Sequence, residues 1–167
     1  MLITAQLPCP FGTIEIQITS LGLRRLRFVD ATAMVDSKVP QEVEPFLSQL
    51  EDYFAGHRKV FDLPIDWTDI PPFHREVLKM VYTIPFGKTR TYKQIATVLG
   101  RPNASRAIGQ ANRKNPIALV IPCHRVIGAK GDLTGYAYGL VMKRNLLAFE
   151  SPSTYAPQAQ LFELVSS

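Results

Sequence analysis

The apolar residues of this chain change period partway along it, and a proline-rich stretch marks the change. Residues 2 to 28 alternate apolar and polar positions, as in Thr13-Ile14-Glu15-Ile16-Gln17-Ile18, with a break at Ser20-Leu21-Gly22. Alternation sends one set of side chains to one face of a sheet, so short antiparallel strands are expected. Val43 to Tyr53 has helical spacing instead, with Val43, Phe46, Leu47, Leu50 and Phe54 along one side. Asp62 to Pro72 holds three prolines and no clear period, which makes it the join between two units. We therefore expect an α+β protein. Residues 1–71 form a small unit with a short antiparallel sheet, a helix and the linker; residues 72–150 form a mostly helical unit; residues 151–167 form a tail.

The helical unit can be read element by element. Pro72 suits a first helical turn, and Phe73, Val77, Met80, Val81 and Ile84 mark an apolar face before Pro85-Phe86-Gly87 stops it. Thr91 and Gln94, three apart, form a capping box that opens a short helix through Ile95, Ala96, Val98 and Leu99, closing at Gly100. A second short helix from about Asn103 to Arg113 completes a helix-turn-helix. Its run Ala104-Ser105-Arg106-Ala107-Ile108-Gly109-Gln110-Ala111 is rich in small side chains, which suits close approach to a narrow groove and equally suits packing on a neighbouring helix. After Asn115-Pro116, Ile117 to Ile121 reads as a buried extended segment delivering Cys123. Gly128, Gly131, Gly135 and Gly139 lack the Gly-Lys-Ser/Thr ending of a phosphate-binding loop, so a shaped loop or hairpin is expected before a helix from about Leu140 to Glu150. Whether Leu161, Phe162, Leu164 and Val165 of the tail dock is open.

The net charge of +5 conceals a division: residues 1–71 carry 6 Lys/Arg against 10 Asp/Glu, and residues 72–167 carry 13 against 4. A basic second half fits a polyanionic partner, and fits a solvated surface about as well. The longest apolar run, Ile117 to Ile121, is far short of the ~20 residues that span a bilayer, and the N-terminus has no basic stretch followed by an apolar one. No membrane association and a cytoplasmic location are expected. Cys9 and Cys123 are the two cysteines, neither with zinc-ligand spacing, so free thiols and no metal are expected.

Cys123 stands in Ile121-Pro122-Cys123-His124-Arg125-Val126, with a base and a cation as its next neighbours. A free thiol ionises near ~8.5 and needs such surroundings to become a nucleophile. Neighbours in an extended chain point to opposite sides, so a direct Cys123 to His124 contact requires a bend, or else a bridging water. An imidazole base also needs an acceptor on its second nitrogen. The second half offers Glu76, Asp132, Glu150 and Glu163, of which Glu150, ending the last helix, is the choice. A buried structural cysteine remains the alternative reading of the pair alone.

The second half resembles the O6-alkylguanine-DNA alkyltransferases, the methylated-DNA–protein-cysteine methyltransferases. The resemblance is carried by the Ile121 to Val126 signature together with Pro85-Phe86-Gly87, Thr91-Tyr92, Ser105-Arg106-Ala107-Ile108-Gly109, Asn115-Pro116, Thr134-Gly135-Tyr136, Leu146-Leu147 and Glu150, in order across most of residues 73 to 150. The first half is similar to the family's variable N-terminal domain only in size and strand-rich pattern.

This resemblance implies a single-turnover DNA repair protein that flips an alkylated guanine out of duplex DNA and moves the alkyl group irreversibly from O6 to Cys123, with O4 of thymine left open as a second site. It implies that Glu150 orients His124, that His124 takes the thiol proton through a water, and that Asn115 holds the backbone of the site. Tyr92 would serve N3 of the leaving guanine and help rotate the nucleotide out. Tyr136 would line the base pocket, with the backbone at Cys123, Val126 and Ala137 reading the guanine edge. Arg106 would enter the duplex while Ser105, Ala107 and Gly109 fit the minor groove, and Arg113 would join the DNA-binding set. Tyr138 stands where many members have a small residue, which bears on bulky adducts, and Ala137 replaces a serine of some members. Cys9 and His57 cannot make the metal site of the metal-bearing members, so no metal and no cofactor are expected, and a monomer. Two other classes compete: a Cys-His hydrolase, which would recycle its cysteine, and a non-enzymatic alkyltransferase-like lesion binder, which lacks one. Arg125 has no assigned role beyond local charge, and ordinary packing is the default for the contact between the two units.

Overall fold

The computed structural model describes residues 1–30 and 38–156. The alternating stretch forms β1 (Ile3–Cys9), β2 (Gly12–Thr19) and β3 (Gly22–Val29), an antiparallel meander in the order β1-β2-β3. Ile14 pairs with Leu7 and Phe28, and Ile16 with Ala5 and Leu26, so the apolar side chains stack on one face. A register shift between Gln17 and Ile18 bends the second hairpin. A short 3-10 turn, Gln41–Val43, leads into α1 (Glu44–Phe54), whose Phe46, Leu50 and Tyr53 are buried.

The Asp62 to Pro72 stretch is a packed strap along β3. Leu23 donates its N–H to Pro64 O at 2.8 Å, and Asp66 donates to Leu23 O at 2.9 Å. The approach is close enough that a Cβ on Gly22 would lie 2.3 Å from Pro64 O, at a φ of +128° that favours glycine. Further along, Leu26 donates to Pro116 O at 3.0 Å and accepts from Ala118 N at 2.8 Å, so the third strand is bonded to the chain that leads to Cys123. One apolar core runs through both halves, from Ile14 and Leu50 to Ile95 and Leu146.

The second half contains α2 (Pro72–Tyr82), α3 (Tyr92–Val98), α4 (Ser105–Arg113), α5 (Leu140–Glu150) and α6 (Pro152–Tyr155). Helix α2 buries Val77, Leu78 and Val81; Leu78 takes a core position, whereas Met80 of the expected face is only partly buried. The Thr91 and Gln94 capping box forms with both reciprocal hydrogen bonds, at 3.0 and 2.9 Å. Just before α3, β4 (Arg90–Thr91) pairs in parallel with β5 (Val126–Ile127), which ties the start of the helix-turn-helix to the residues after the cysteine. Among the described residues no helix is long and apolar enough to cross a membrane. Leu161, Phe162, Leu164 and Val165 lie outside the described residues.

Ile117 to Ile121 is buried as expected but is not extended. It folds into a compact turn in which Ile121 donates to Ile117 O at 3.0 Å and Leu119 takes a positive φ of 67°. The Asn115 side chain clamps this turn: Nδ2 donates to Ile121 O at 2.8 Å, and Oδ1 accepts from Ile117 N at 3.0 Å. A side-chain amide supplying donor and acceptor outweighs the extended preference of a β-branched run.

Candidate active site

The turn delivers Cys123, His124 and Arg125 as a 3-10 turn with all three side chains buried. The chain is therefore bent here, and neighbouring side chains no longer alternate between two faces. Asn112 of α4 donates its side-chain amide to Cys123 O at 3.1 Å, so α4 and the cysteine turn are fixed to each other. Asn115 sits beside the thiol from the other end of the turn.

Helix α5 supplies the opposite wall. Its buried positions are Lys143, Leu146, Leu147 and Glu150, a helical stripe that puts a lysine and a carboxylate two turns apart on one face. Glu150 Oε1 lies 2.9 Å from His124 Nε2 and accepts from Arg125 Nη2 at 2.7 Å, while Oε2 accepts from Arg125 Nε at 2.8 Å. Arg125 Nη1 donates to Ile84 O at 2.7 Å. Tyr53 of α1 donates its hydroxyl to the same Oε1 at 2.8 Å. Lys143 Nζ donates to Val126 O at 2.6 Å and to Thr134 O at 2.9 Å, bridging β5 and the glycine-rich loop.

Burial and pairing set the protonation states. Burial would raise the Glu150 carboxyl, but the His124 hydrogen bond and the Arg125 guanidinium hold it far below the ordinary carboxylate range. Burial pushes His124 down against the pull of Glu150, leaving a neutral ring at neutral pH. With an ionised carboxylate as its partner, Nε2 carries the proton and Nδ1 keeps its lone pair; Nδ1 is buried and has no protein hydrogen-bond partner. Burial pushes the Cys123 thiol up, outweighing the opposing effects of Asn115 and Lys143, so at rest it holds its proton. Burial also lowers Lys143 to about 8.

The loop from Gly128 to Gly139 forms the remaining wall. Tyr136 is buried with an unpartnered hydroxyl, and Tyr138 stands edge-on to it at 5.5 Å and to Phe28 of β3 at 5.1 Å. Tyr92, the first residue of α3, donates its hydroxyl to Thr134 O at 3.2 Å, and its ring lies where a Cβ on Gly109 would meet it at 3.6 Å. Ala137 is exposed and Val126 buried. Arg106, Ala107 and Arg113 are exposed on α4, with Ser105 and Gly109 partly so.

The structure thus brings Cys123, His124, Glu150, Asn115, Val126 and Tyr136 together and sets Tyr92 and α4 at the same end. Tyr53, Lys143 and Asn112 also belong to the site, although sequence reasoning assigned them no part in it, and so does Arg125. Arg125 has a specific partner, which corrects the reading of it as mere local charge. Lys143 was visible as a lysine within an apolar helical stripe; Tyr53, three residues after Leu50 and seven after Phe46, carried a signal of burial but none of its partner. Among the described residues, no three His, Cys, Asp or Glu side chains gather as a metal site.

A model described as the ribonuclease-like domain of 6-O-methylguanine DNA methyltransferase matches residues 2–67, and one described as the DNA binding domain of the same protein matches residues 72–152. The methylated-DNA–protein-cysteine methyltransferase of Methanosarcina barkeri is 44% identical over 148 residues, spanning 84% of this chain and 92% of that one. A crystal structure of Mycobacterium tuberculosis O6-methylguanine methyltransferase superposes with a TM-score of 0.77 at 37% identity, over 97% of this chain and 99% of that one. Another, of Mycobacterium tuberculosis OGT in complex with DNA, gives 0.78 at 39% identity, over 92% and 94%. With both halves matched, and a relative at 44% identity covered almost end to end, the chain belongs to the 6-O-methylguanine DNA methyltransferase family.

Proposed function

We propose that the protein repairs DNA by direct reversal, moving a methyl or other alkyl group from O6 of guanine to Sγ of Cys123 in a single turnover. The observation that carries this reading is the buried pairing of His124 Nε2 with Glu150, which leaves Nδ1 with a free lone pair on the residue next in sequence to a buried thiol. Duplex DNA binds through its minor groove to α4. Arg106 enters the stack, and Ser105, Ala107, Gly109 and Arg113 follow the backbone and groove. The flipped guanine enters against Tyr136, with the backbone at Cys123, Val126 and Ala137 reading its edge.

The transfer is a displacement at the alkyl carbon. Sγ forms the new S–C bond as the C–O6 bond breaks, and the electron pair passes to O6 and into the purine ring. Through a bridging water, the thiol proton passes to His124 Nδ1, and Glu150 stabilises the imidazolium. Tyr92 donates a hydrogen bond or proton to N3, which makes guanine a better leaving group. The proton taken up by His124 returns through water to the purine, or to Tyr92 where that residue gave its own, so the products are neutral guanine and S-alkyl Cys123, and one protein repairs one lesion without a cofactor. It acts as a monomer wherever the DNA is held, in the cytoplasm or in the nucleus of a eukaryote.

Duplex DNA carrying labelled O6-methylguanine should leave about one label per protein on Cys123 and none on Cys123→Ala. Release of the label as a small molecule with continued turnover would point to a hydrolase. Label retained on the DNA despite binding would point to a lesion-binding protein. Either result overturns the proposal.

A further inference from the structure

Tyr53 lies on α1, in the half of the protein that holds the sheet, and is fully buried. Its ring is packed among Phe54, Phe61 and Phe149, each 5.3 Å away between centroids, and Phe86 at 6.0 Å. A hydroxyl in an aromatic cage is costly unless it finds an acceptor. The acceptor is Glu150 Oε1 at 2.8 Å, the oxygen that also holds His124 Nε2.

We propose that Tyr53 is a positioning residue of the transfer reaction, whose hydroxyl shares Glu150 Oε1 with His124 and so sets how firmly the carboxylate holds the imidazole. This inference rests on the role given to His124 above. The relay is then assembled from both halves of the chain, and docking of α1 against α5 completes the site. The rigid aromatic cage fixes where the hydroxyl stands, so the carboxylate oxygen has one place to settle.

The electrostatic consequence has a definite sign. A donor on Oε1 draws charge away from the carboxylate, weakening its support for a protonated His124. His124 is faced by Glu150 and Lys143 from α5, by Cys123 and Arg125 on its own turn, and by Tyr53 of α1 through Glu150. Of these, Tyr53 can be altered without removing a charge. Removing its hydroxyl should raise the proton affinity of His124; strengthening that donor should lower it.

The test is the pH dependence of single-turnover transfer from O6-methylguanine duplex. It compares the wild type, Tyr53→Phe, and protein with 3-fluorotyrosine incorporated at position 53 only, an isosteric change that makes the hydroxyl a stronger donor. The acid limb of the profile should move to higher pH for Tyr53→Phe, slowing transfer on that limb about threefold to tenfold. It should move to lower pH for 3-fluorotyrosine. In a Glu150→Gln background, Tyr53→Phe should change the limb no further. Coincident acid limbs for all three proteins, whatever the change in melting temperature, would overturn the inference and leave Tyr53 as packing. Failure of the wild type to transfer label, or an acid limb that persists unchanged in His124→Gln, would instead remove the reading on which it rests, and the inference with it.

Discussion

Arg125 and Glu150 form a two-point ion pair in the interior, Nε to Oε2 at 2.8 Å and Nη2 to Oε1 at 2.7 Å. The third guanidinium nitrogen donates to the Ile84 carbonyl, two residues past the end of α2, at 2.7 Å. Truncating one member of such a pair leaves the other charge buried without its partner. Arg125→Ala should cost about 3–5 kcal/mol of stability by denaturant unfolding. Arg125→Lys should recover only part of it, because an ammonium cannot span both oxygens and the carbonyl. A loss below about 1 kcal/mol for the alanine variant would show that the pair contributes little.

Stability should fall on the acid side in two stages. Burial lowers His124 from its ordinary value, so the unfolded chain binds the extra proton first, and stability is lost as pH falls below ~6.5. Glu150 is also depressed in the folded state, by His124 and Arg125 against the effect of burial, so its contribution is present above ~4.3 and is lost below that. Unfolding free energies measured at pH 7, 5 and 3.5 should show both stages in the wild type. Glu150→Gln should flatten the lower one, and an unchanged slope between pH 5 and 3.5 would contradict it.

Lys143 ties Val126 O to Thr134 O, and burial lowers its folded value to about 8 against the opposing effects of Cys123 and Asp132. The unfolded lysine stays protonated up to ~10.4, so between these values the folded state binds fewer protons and this group adds stability as pH rises. Lys143→Met leaves the Val126 and Thr134 carbonyls without this donor and should unfold more easily than the wild type, and the gap between them should widen from pH 8 to pH 10. It should also slow transfer, since the loop that carries Tyr136 loses its tie to β5. A gap that stays constant over that range would mean that Lys143 titrates alike in both states.

Tyr138 stands edge-on between Phe28 of the sheet and Tyr136 of the loop. An open cavity of about 690 Å³ lies nearby, lined by Phe28, Tyr138, Met142 and Arg27 among others. Tyr138→Gly should raise the transfer rate from O6-benzylguanine by about tenfold or more, while changing the methyl rate by less than about threefold. Equal effects on both substrates, measured as single-turnover rates, would show that Tyr138 does not restrict adduct size.

Much of the site was legible before folding, because its parts are local. Cys123 and His124 are adjacent, the Thr91 and Gln94 capping box is a four-residue pattern, and α5 can be read to its end at Glu150 from its apolar spacing. The shape of Ile117 to Ile121 was not legible. A run of five apolar residues signals burial whether it is straight or turned, and the clamp that turns it is the side chain of Asn115.

Sequence alone determined the change from strand to helix period, the helix-turn-helix, the cysteine with its adjacent histidine, and the carboxylate that serves it. These follow from spacing along the chain, where geometry is set by bond lengths and helical pitch. Only the tertiary structure decided that Tyr53, 97 residues from Glu150, shares that carboxylate with His124 and Arg125, and that Lys143 bridges the carbonyls of Val126 and Thr134. Periodicity reports which face of an element is apolar. Which buried polar groups then meet depends on how the faces dock, because each buried donor must find an acceptor across that contact.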